Sequence, residues 1–152
     1  MAPETQHKCP TPFSITRFHV VFSTKGRRKL IPKESKSDLW SYLAAICAKH
    51  DIFVHEVGGT EDHVHMLIEI PLTMAYSDAL KEIKTGSSRK MGNDFAWQQG
   101  FGIFGVSESQ RASVVRYIRN QESHHHKMSY EEEFIALLKR HRVAYDPRYV
   151  LG

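Results

Sequence analysis

Cysteine is scarce: Cys9 and Cys47 are the two among 152 residues, and no Cys-x-x-Cys spacing occurs. That excludes a disulfide framework and a thiolate zinc site, so both read as reduced thiols, Cys47 on the core face of a helix. Long apolar runs are also missing. None approaches the roughly 20 residues that span a bilayer. The first dozen residues lack the apolar centre of a signal peptide, and residues 1–14 read as a flexible leader before one domain, 15–152. Cytoplasmic residence with no membrane partner is the expectation. Repeats and low-complexity segments are absent too, which excludes solenoids and linker-like chains.

What is present is an ordinary globular composition with a small basic excess, net +4. Such an excess is compatible with a polyanionic partner without demonstrating one. The positions say more than the total. Lys25, Arg27, Arg28 and Lys29 form one basic cluster and Lys81, Lys84, Arg89 and Lys90 another, whereas acidic residues gather at Glu131, Glu132 and Glu133. Each cluster read singly is a solvated face.

Periodicity divides the chain into eight elements. Residues 18–23 are β-branched and aromatic and end at Lys25-Gly26, a strand and a turn. Leu39, Leu43, Ile46, Cys47 and His50 recur at helical spacing and predict a helix over 33–50. Strands follow at 52–57, closed by Gly58-Gly59, and at 63–70, stopped by Pro71; the short gap between them predicts a hairpin. A lysine-rich helix over 77–91 is broken by Gly92-Asn93-Asp94, and 101–107 is a short strand. One helix is expected over 109–127, with Val114, Val115 and Ile118 as its stripe. Another starts at Ser129, where Ser129 and Glu132 have capping-box spacing and Phe134, Leu137 and Leu138 form the core face. The first six elements follow the ferredoxin-like, split βαβ plan: an α+β fold with a four-stranded antiparallel sheet and helices on one face. The two later helices follow it, and the plan leaves the second face of the sheet free for a nucleic acid.

Two short motifs carry chemistry. Asp62-His63-Val64-His65 opens a strand, where residues two apart share a face. His63 and His65 therefore project together, a pair suited to a divalent metal, while Val64 faces the core. Read alone, the pair is equally two ordinary histidines, in a chain with 10 of them. In Tyr117-Ile118-Arg119-Asn120-Gln121, an i, i+4 pair lies on one helix face, so Tyr117 and Gln121 project together. Read alone, these are a packing tyrosine and a solvent-facing glutamine.

Taken jointly and in this order, the strand His-x-His and the helical Tyr-x-x-x-Gln resemble the single-tyrosine HUH transposases of small insertion sequences, the REP-associated tyrosine transposases among them. The resemblance extends from about Phe18 to the C-terminus. It takes in the segment from Phe18 through Lys25, Gly58-Gly59, and the block from Gly102 through Gln121. It implies that His63, His65 and Gln121 bind Mg²⁺ or Mn²⁺ and that Tyr117 attacks a DNA phosphate, leaving a 5′-phosphotyrosine link and a free 3′-hydroxyl. It further implies single-stranded DNA with hairpin ends as partner, and a homodimer in which the histidines of one chain meet the tyrosine helix of the other. A phenol with pKa near 10 needs a nearby base or metal to act as a nucleophile at neutral pH.

Several positions stay open. Asp62 reads as a turn residue, a further ligand or a partner orienting a histidine. His124, His125 and His126 follow the ligand helix and read as ligands, DNA contacts or solvated residues. The two basic clusters are the candidate phosphate contacts. Trp97 and Phe101 read as core residues before stacking platforms. Three alternatives accompany the transposase: a domesticated hairpin endonuclease, a non-catalytic nucleic-acid-binding module, and a metallohydrolase indifferent to Tyr117.

Overall fold

A computed structural model describes residues 13–125 and 127–151; the expected leader with Cys9, and His126, lie outside them. The elements are β1 (Arg17–Ser23), α1 (Lys36–Lys49), β2 (Phe53–Gly59), β3 (His63–Glu69), α2 (Tyr76–Met91), β4 (Gly102–Gly105), α3 (Glu108–Arg119), α4 (Gln121–His125) and α5 (Tyr130–Arg140). The four strands form one sheet in the order β2-β3-β1-β4, every neighbouring pair antiparallel. This is the ferredoxin-like arrangement that the element order predicts. Single-turn 3-10 segments at Lys25–Arg27 and Lys33–Ser35 precede α1, which starts three residues later than its periodicity suggests.

Side-chain alternation along β1 and β3 separates two interiors. Val20 and Phe22 of β1 share one face with Val64, Met66 and Ile68 of β3. Against it pack Leu39, Leu43 and Cys47 of α1 and Ala79, Leu80 and Ile83 of α2, all buried. Each valine, leucine, isoleucine, methionine or phenylalanine so buried is worth about 1.5–3 kcal/mol, and this layer is the larger of the apolar interiors. Trp97 belongs here: its ring meets Phe22 edge-on at 4.7 Å, and its indole N–H donates to Ser87 Oγ at 2.9 Å. Core packing is therefore its role. Burial pushes the Cys47 thiol up to about 12, so it is an inert thiol.

The second face differs from the open one that the plan suggests. It is covered by α3, α4 and α5. Ile118 of α3 packs on Leu67 of β3 with Val106, while Phe134, Leu137 and Leu138 of α5 pack on Val21 and Phe104. The apolar residues of the late helices need a partner surface, and the odd-numbered residues of β1 and β3 supply it. Between these two small clusters lie His19, His63 and His65, all buried.

The helix expected over 109–127 is two helices. It breaks at Asn120, where φ −99° and ψ 24° leave the helical range, and α4 begins at Gln121. Ser129 caps α5 as its spacing predicts, its hydroxyl accepting from the backbone N–H of Glu132 at 3.2 Å. Among the described residues no helix is long and apolar enough to cross a membrane.

Candidate active site

Strand β3 brings His63 and His65 to the covered face, with neither side chain reachable by solvent. Their rings stand 5.1 Å apart, near perpendicular. The backbone around them is tightly built. At Gly59 an added Cβ would lie 2.3 Å from the His63 carbonyl oxygen, and at Gly58 one would lie 2.2 Å from the carbonyl oxygen of Ile118. Gly58 thus lets the backbone of α3 rest directly on β2, one residue from Tyr117. An ion pair from Arg119 to Glu56, 2.7 Å, ties the end of α3 to the same strand.

Gln121, at the first position of α4, is buried, and its Oε1 lies 2.9 Å from His63 Nε2. The other nitrogen of His63, Nδ1, lies 2.7 Å from Asp62 Oδ1, and Thr60 donates its hydroxyl to the same carboxylate oxygen at 2.9 Å. Asp62 therefore orients the ring of His63. Burial opposes its ionisation, but the hydrogen bond and charge of His63, with the Thr60 hydroxyl, outweigh that and hold its carboxyl below the usual range. Both nitrogens of His63 thus face acceptor oxygens. A neutral imidazole carries one proton, so one contact sets lone pair against lone pair unless the ring is charged or a cation lies between. The donor set fits a cation on that observation.

His65 is held in the same manner by a residue that sequence reading gave no role. Its Nδ1 lies 2.7 Å from Nε2 of His19 on β1, and its Nε2 lies 2.8 Å from Oε1 of Glu133. Burial lowers His65 to about 4 and keeps His19 neutral as well. Neutral imidazole is the metal-binding form.

Glu133 of α5 is the second residue that sequence reading missed, and it is only 1% exposed. Its Oε1 meets His65, His125 Nε2 at 3.0 Å and His63 Nε2 at 3.5 Å. Its Oε2 accepts from Gln121 Nε2 at 3.2 Å and from the Tyr117 hydroxyl in a short contact. Burial alone would raise its pKa, but hydrogen bonds from His125 and His65 and the neighbouring imidazole charge drive it far below the carboxylate range. The signal was in the phase of α5: Tyr130, Glu133, Phe134 and Leu137 fall on one buried stripe, whereas Glu131 and Glu132 face water.

Tyr117, half-buried on α3, stands 5.7 Å ring to ring from His65 and 6.0 Å from His19. Burial, and then the Glu133 carboxylate, raise its pKa, so the resting group is a phenol donating to Glu133. Tyr117 borders a cleft of about 410 Å³ between α3 and α5, lined also by His19, His124, Arg140 and His141. A second hollow of about 370 Å³ is lined by Lys29, Lys33, Lys36, Asp62 and His125. Tyr117, His63, His65 and Gln121 are thus assembled within a single chain.

The basic candidates lie elsewhere and divide in two. Lys25, Arg28 and Lys29 are exposed, Lys29 lining the second hollow, while Arg27 is engaged with Glu131 and the Leu151 carbonyl, at 2.7 and 2.8 Å. Lys81, Arg89 and Lys90 are exposed on α2. Lys84 is half-buried, donating to the carbonyls of Gln98, Gln99 and Gly100 and lying over the Phe22 and Phe101 rings; burial lowers it to about 8. Its ammonium holds a loop.

Known proteins resemble the chain in sequence and in fold. The family profile described as Transposase IS200 like matches residues 13–121. The transposase for insertion sequence element IS200 of Salmonella typhimurium is 28% identical over 116 residues, 69% of this chain and 76% of that protein. The ISDra2 transposase TnpA of Deinococcus radiodurans is 29% identical over 117 residues, 68% and 82% respectively. In fold, the chain is similar to a REP-associated tyrosine transposase solved bound to a REP hairpin, with TM-score 0.61 and 15% identity over 78% of this chain and 73% of that one. It is also similar to a Deinococcus radiodurans crystal structure ascribed to a transposase, with TM-score 0.60 and 23% identity over 75% and 96%. The profile covers most of the chain, including β3 and the tyrosine helix, and the chain belongs to the IS200-like transposase family.

Proposed function

We propose that this transposase cleaves and rejoins single-stranded DNA at hairpin-marked ends, with Tyr117 as nucleophile and His63, His65 and Gln121 as ligands of Mg²⁺ or Mn²⁺. One observation supports this best: the Tyr117 hydroxyl, the imidazoles of His63 and His65 and the amide of Gln121 converge on one buried carboxylate, Glu133. The relative solved with a REP hairpin supports the hairpin as the recognised end.

The chain's own residues account for each part of the step. The phenol gives its proton to Glu133 Oε2 and its oxygen bonds phosphorus while the bond to the 3′ oxygen breaks; that oxygen takes a proton from solvent, so the chain carries a 5′-phosphate ester and the leaving strand a 3′-hydroxyl. A neutral phenol is a weak nucleophile, and Glu133 Oε2 already accepts its proton's hydrogen bond. Asp62 and His19 fix the rings of His63 and His65 so that Nε2 of each points to the site. When bound, the divalent ion polarises the phosphoryl oxygen and offsets the charge that develops there. The ester conserves the bond energy, so reversal by another 3′-hydroxyl rejoins DNA without ATP. Exposed Lys25, Arg28 and Lys29, with Lys81, Arg89 and Lys90, supply phosphate contacts that set register.

The direct test is a denaturing gel of protein with Mn²⁺ and labelled hairpin-bearing single strands. A slow, protease-sensitive adduct is expected, absent with Tyr117→Phe and with EDTA. Cleavage without an adduct would favour a hydrolase, and retention without cleavage a binding module. A second reading concerns assembly. The homodimer with shared sites, implied by the resemblance, predicts that a His63→Ala, His65→Ala chain mixed with a Tyr117→Phe chain recovers activity. Assembly of all four residues within one chain favours sites in cis, and no recovery would support that.

A further inference from the structure

We propose that Glu133 is itself a metal ligand, completing with His63, His65 and Gln121 a site that has a charged member. The inference rests on the reading of His63 and His65 as ligands, and concerns a residue of α5 outside the segment 13–121 matched by the family profile.

The donor chemistry asks for such a residue. Mg²⁺ is a hard cation that dehydrates reluctantly and is normally held by one or two carboxylates. Two neutral imidazoles and an amide oxygen provide no charge. Glu133 provides one, buried at the meeting point of the same side chains. Its Oε1 lies 2.8 Å from His65 Nε2 and 3.5 Å from His63 Nε2, and Gln121 Oε1 lies 2.9 Å from His63 Nε2. Donors bound at about 2.1 Å around one ion stand about 3–3.5 Å apart, so the two hydrogen-bonded pairs need open by only a few tenths of an ångström to become neighbours in a coordination shell.

The carboxylate's surroundings point the same way. A buried carboxylate is ordinarily matched by an arginine or lysine. The hydrogen-bond partners of Glu133 are His65, His125, Gln121 and Tyr117. None is an arginine or lysine; burial lowers His125, but the hydrogen bond and charge of Glu133 outweigh it and raise its pKa, so a half-buried imidazole is the only partner that gains charge. The two oxygens have separate surroundings: Oε1 faces the histidines, and Oε2 faces Tyr117 and Gln121. One carboxylate thereby joins the metal position to the nucleophile, and α5 becomes part of the catalytic centre.

The test is direct Mn²⁺ binding to the full chain without DNA, read from the electron paramagnetic resonance of free Mn²⁺. Glu133→Gln keeps the shape and removes the charge. Its Mn²⁺ affinity should fall by about 10-fold or more, since even outer partners of ligands are worth about 10–100-fold. Glu133→Asp keeps the charge and should bind between the two. The rise in melting temperature that Mn²⁺ gives the native chain should shrink in parallel. Glu133→Gln binding as tightly as the native chain, while His63→Ala with His65→Ala loses binding, would overturn this inference alone. Unchanged affinity in all of these variants would overturn the metal site itself.

Discussion

The two faces of the sheet are built from alternate residues of the same strands, yet they differ in kind. On β1, Val20 and Phe22 face α1 and α2 while His19 and Val21 face α3–α5; on β3, Val64, Met66 and Ile68 oppose His63, His65 and Leu67. The first interior is one continuous apolar cluster, with the Trp97–Ser87 hydrogen bond inside it. The second is two small apolar clusters with a hydrogen-bonded group of histidines, a glutamine, a tyrosine and a carboxylate between them. Burying polar groups stabilises little even when all are paired, so the second interior contributes mainly geometry. Stability and chemistry are thus separated by a single residue step along a strand.

Substitutions that act on one face and spare the other sharpen that contrast. The largest effect is expected from Tyr117→Phe, which should abolish the covalent DNA adduct while leaving the urea midpoint nearly unmoved. A large loss of stability would show that the second face also holds the fold. On the first face, Phe22→Ala should cost about 3–5 kcal/mol in urea unfolding. Its adduct yield, measured at a temperature where the chain remains folded, should be near native.

Asp62→Asn should weaken Mn²⁺ binding or adduct formation by about 10–100-fold, because the ring of His63 loses its anionic partner. The same variant carries a pH signature. The folded-state pKa of Asp62 is depressed, so its stabilising contribution is present above the unfolded value, near 4, and is lost as pH falls through the folded value. Asp62→Asn should flatten that part of the acid unfolding curve; an unchanged curve would remove the carboxylate from the account. The smallest effect is expected outside both faces. Lys29→Ala should weaken hairpin binding a few-fold and lower the slope of log affinity against log salt by about 1, with stability unaltered.

The first face was the more legible in the sequence. β-Branched and aromatic runs bounded by turn residues, and a helical stripe through Leu39, Leu43 and Cys47, suffice to place it, because apolar burial is written directly in residue type. On the second face, His63, His65, Tyr117 and Gln121 were legible as spaced motifs, and Asp62 as one of several options. Covering of that face by the late helices was not, since it depends on where the chain returns. Nor was the break at Asn120, because a one-residue interruption leaves the spacing of Tyr117 and Gln121 looking helical. Glu133 was hidden in an acidic triplet that differs from a solvated run only in phase, and His19 in a strand that reads as core. Lys84 shows the converse: a lysine in a basic cluster whose charge is spent on three carbonyls of its own chain.

The contact at Gly58 has a consequence for tolerance to mutation. The height of the tyrosine helix above the sheet is set by backbone meeting backbone, with no side chain between. The neighbouring apolar residues Leu67, Val106 and Ile118 pack around that contact. Much of the positional constraint falls on one glycine, and a single methyl group there would displace Tyr117.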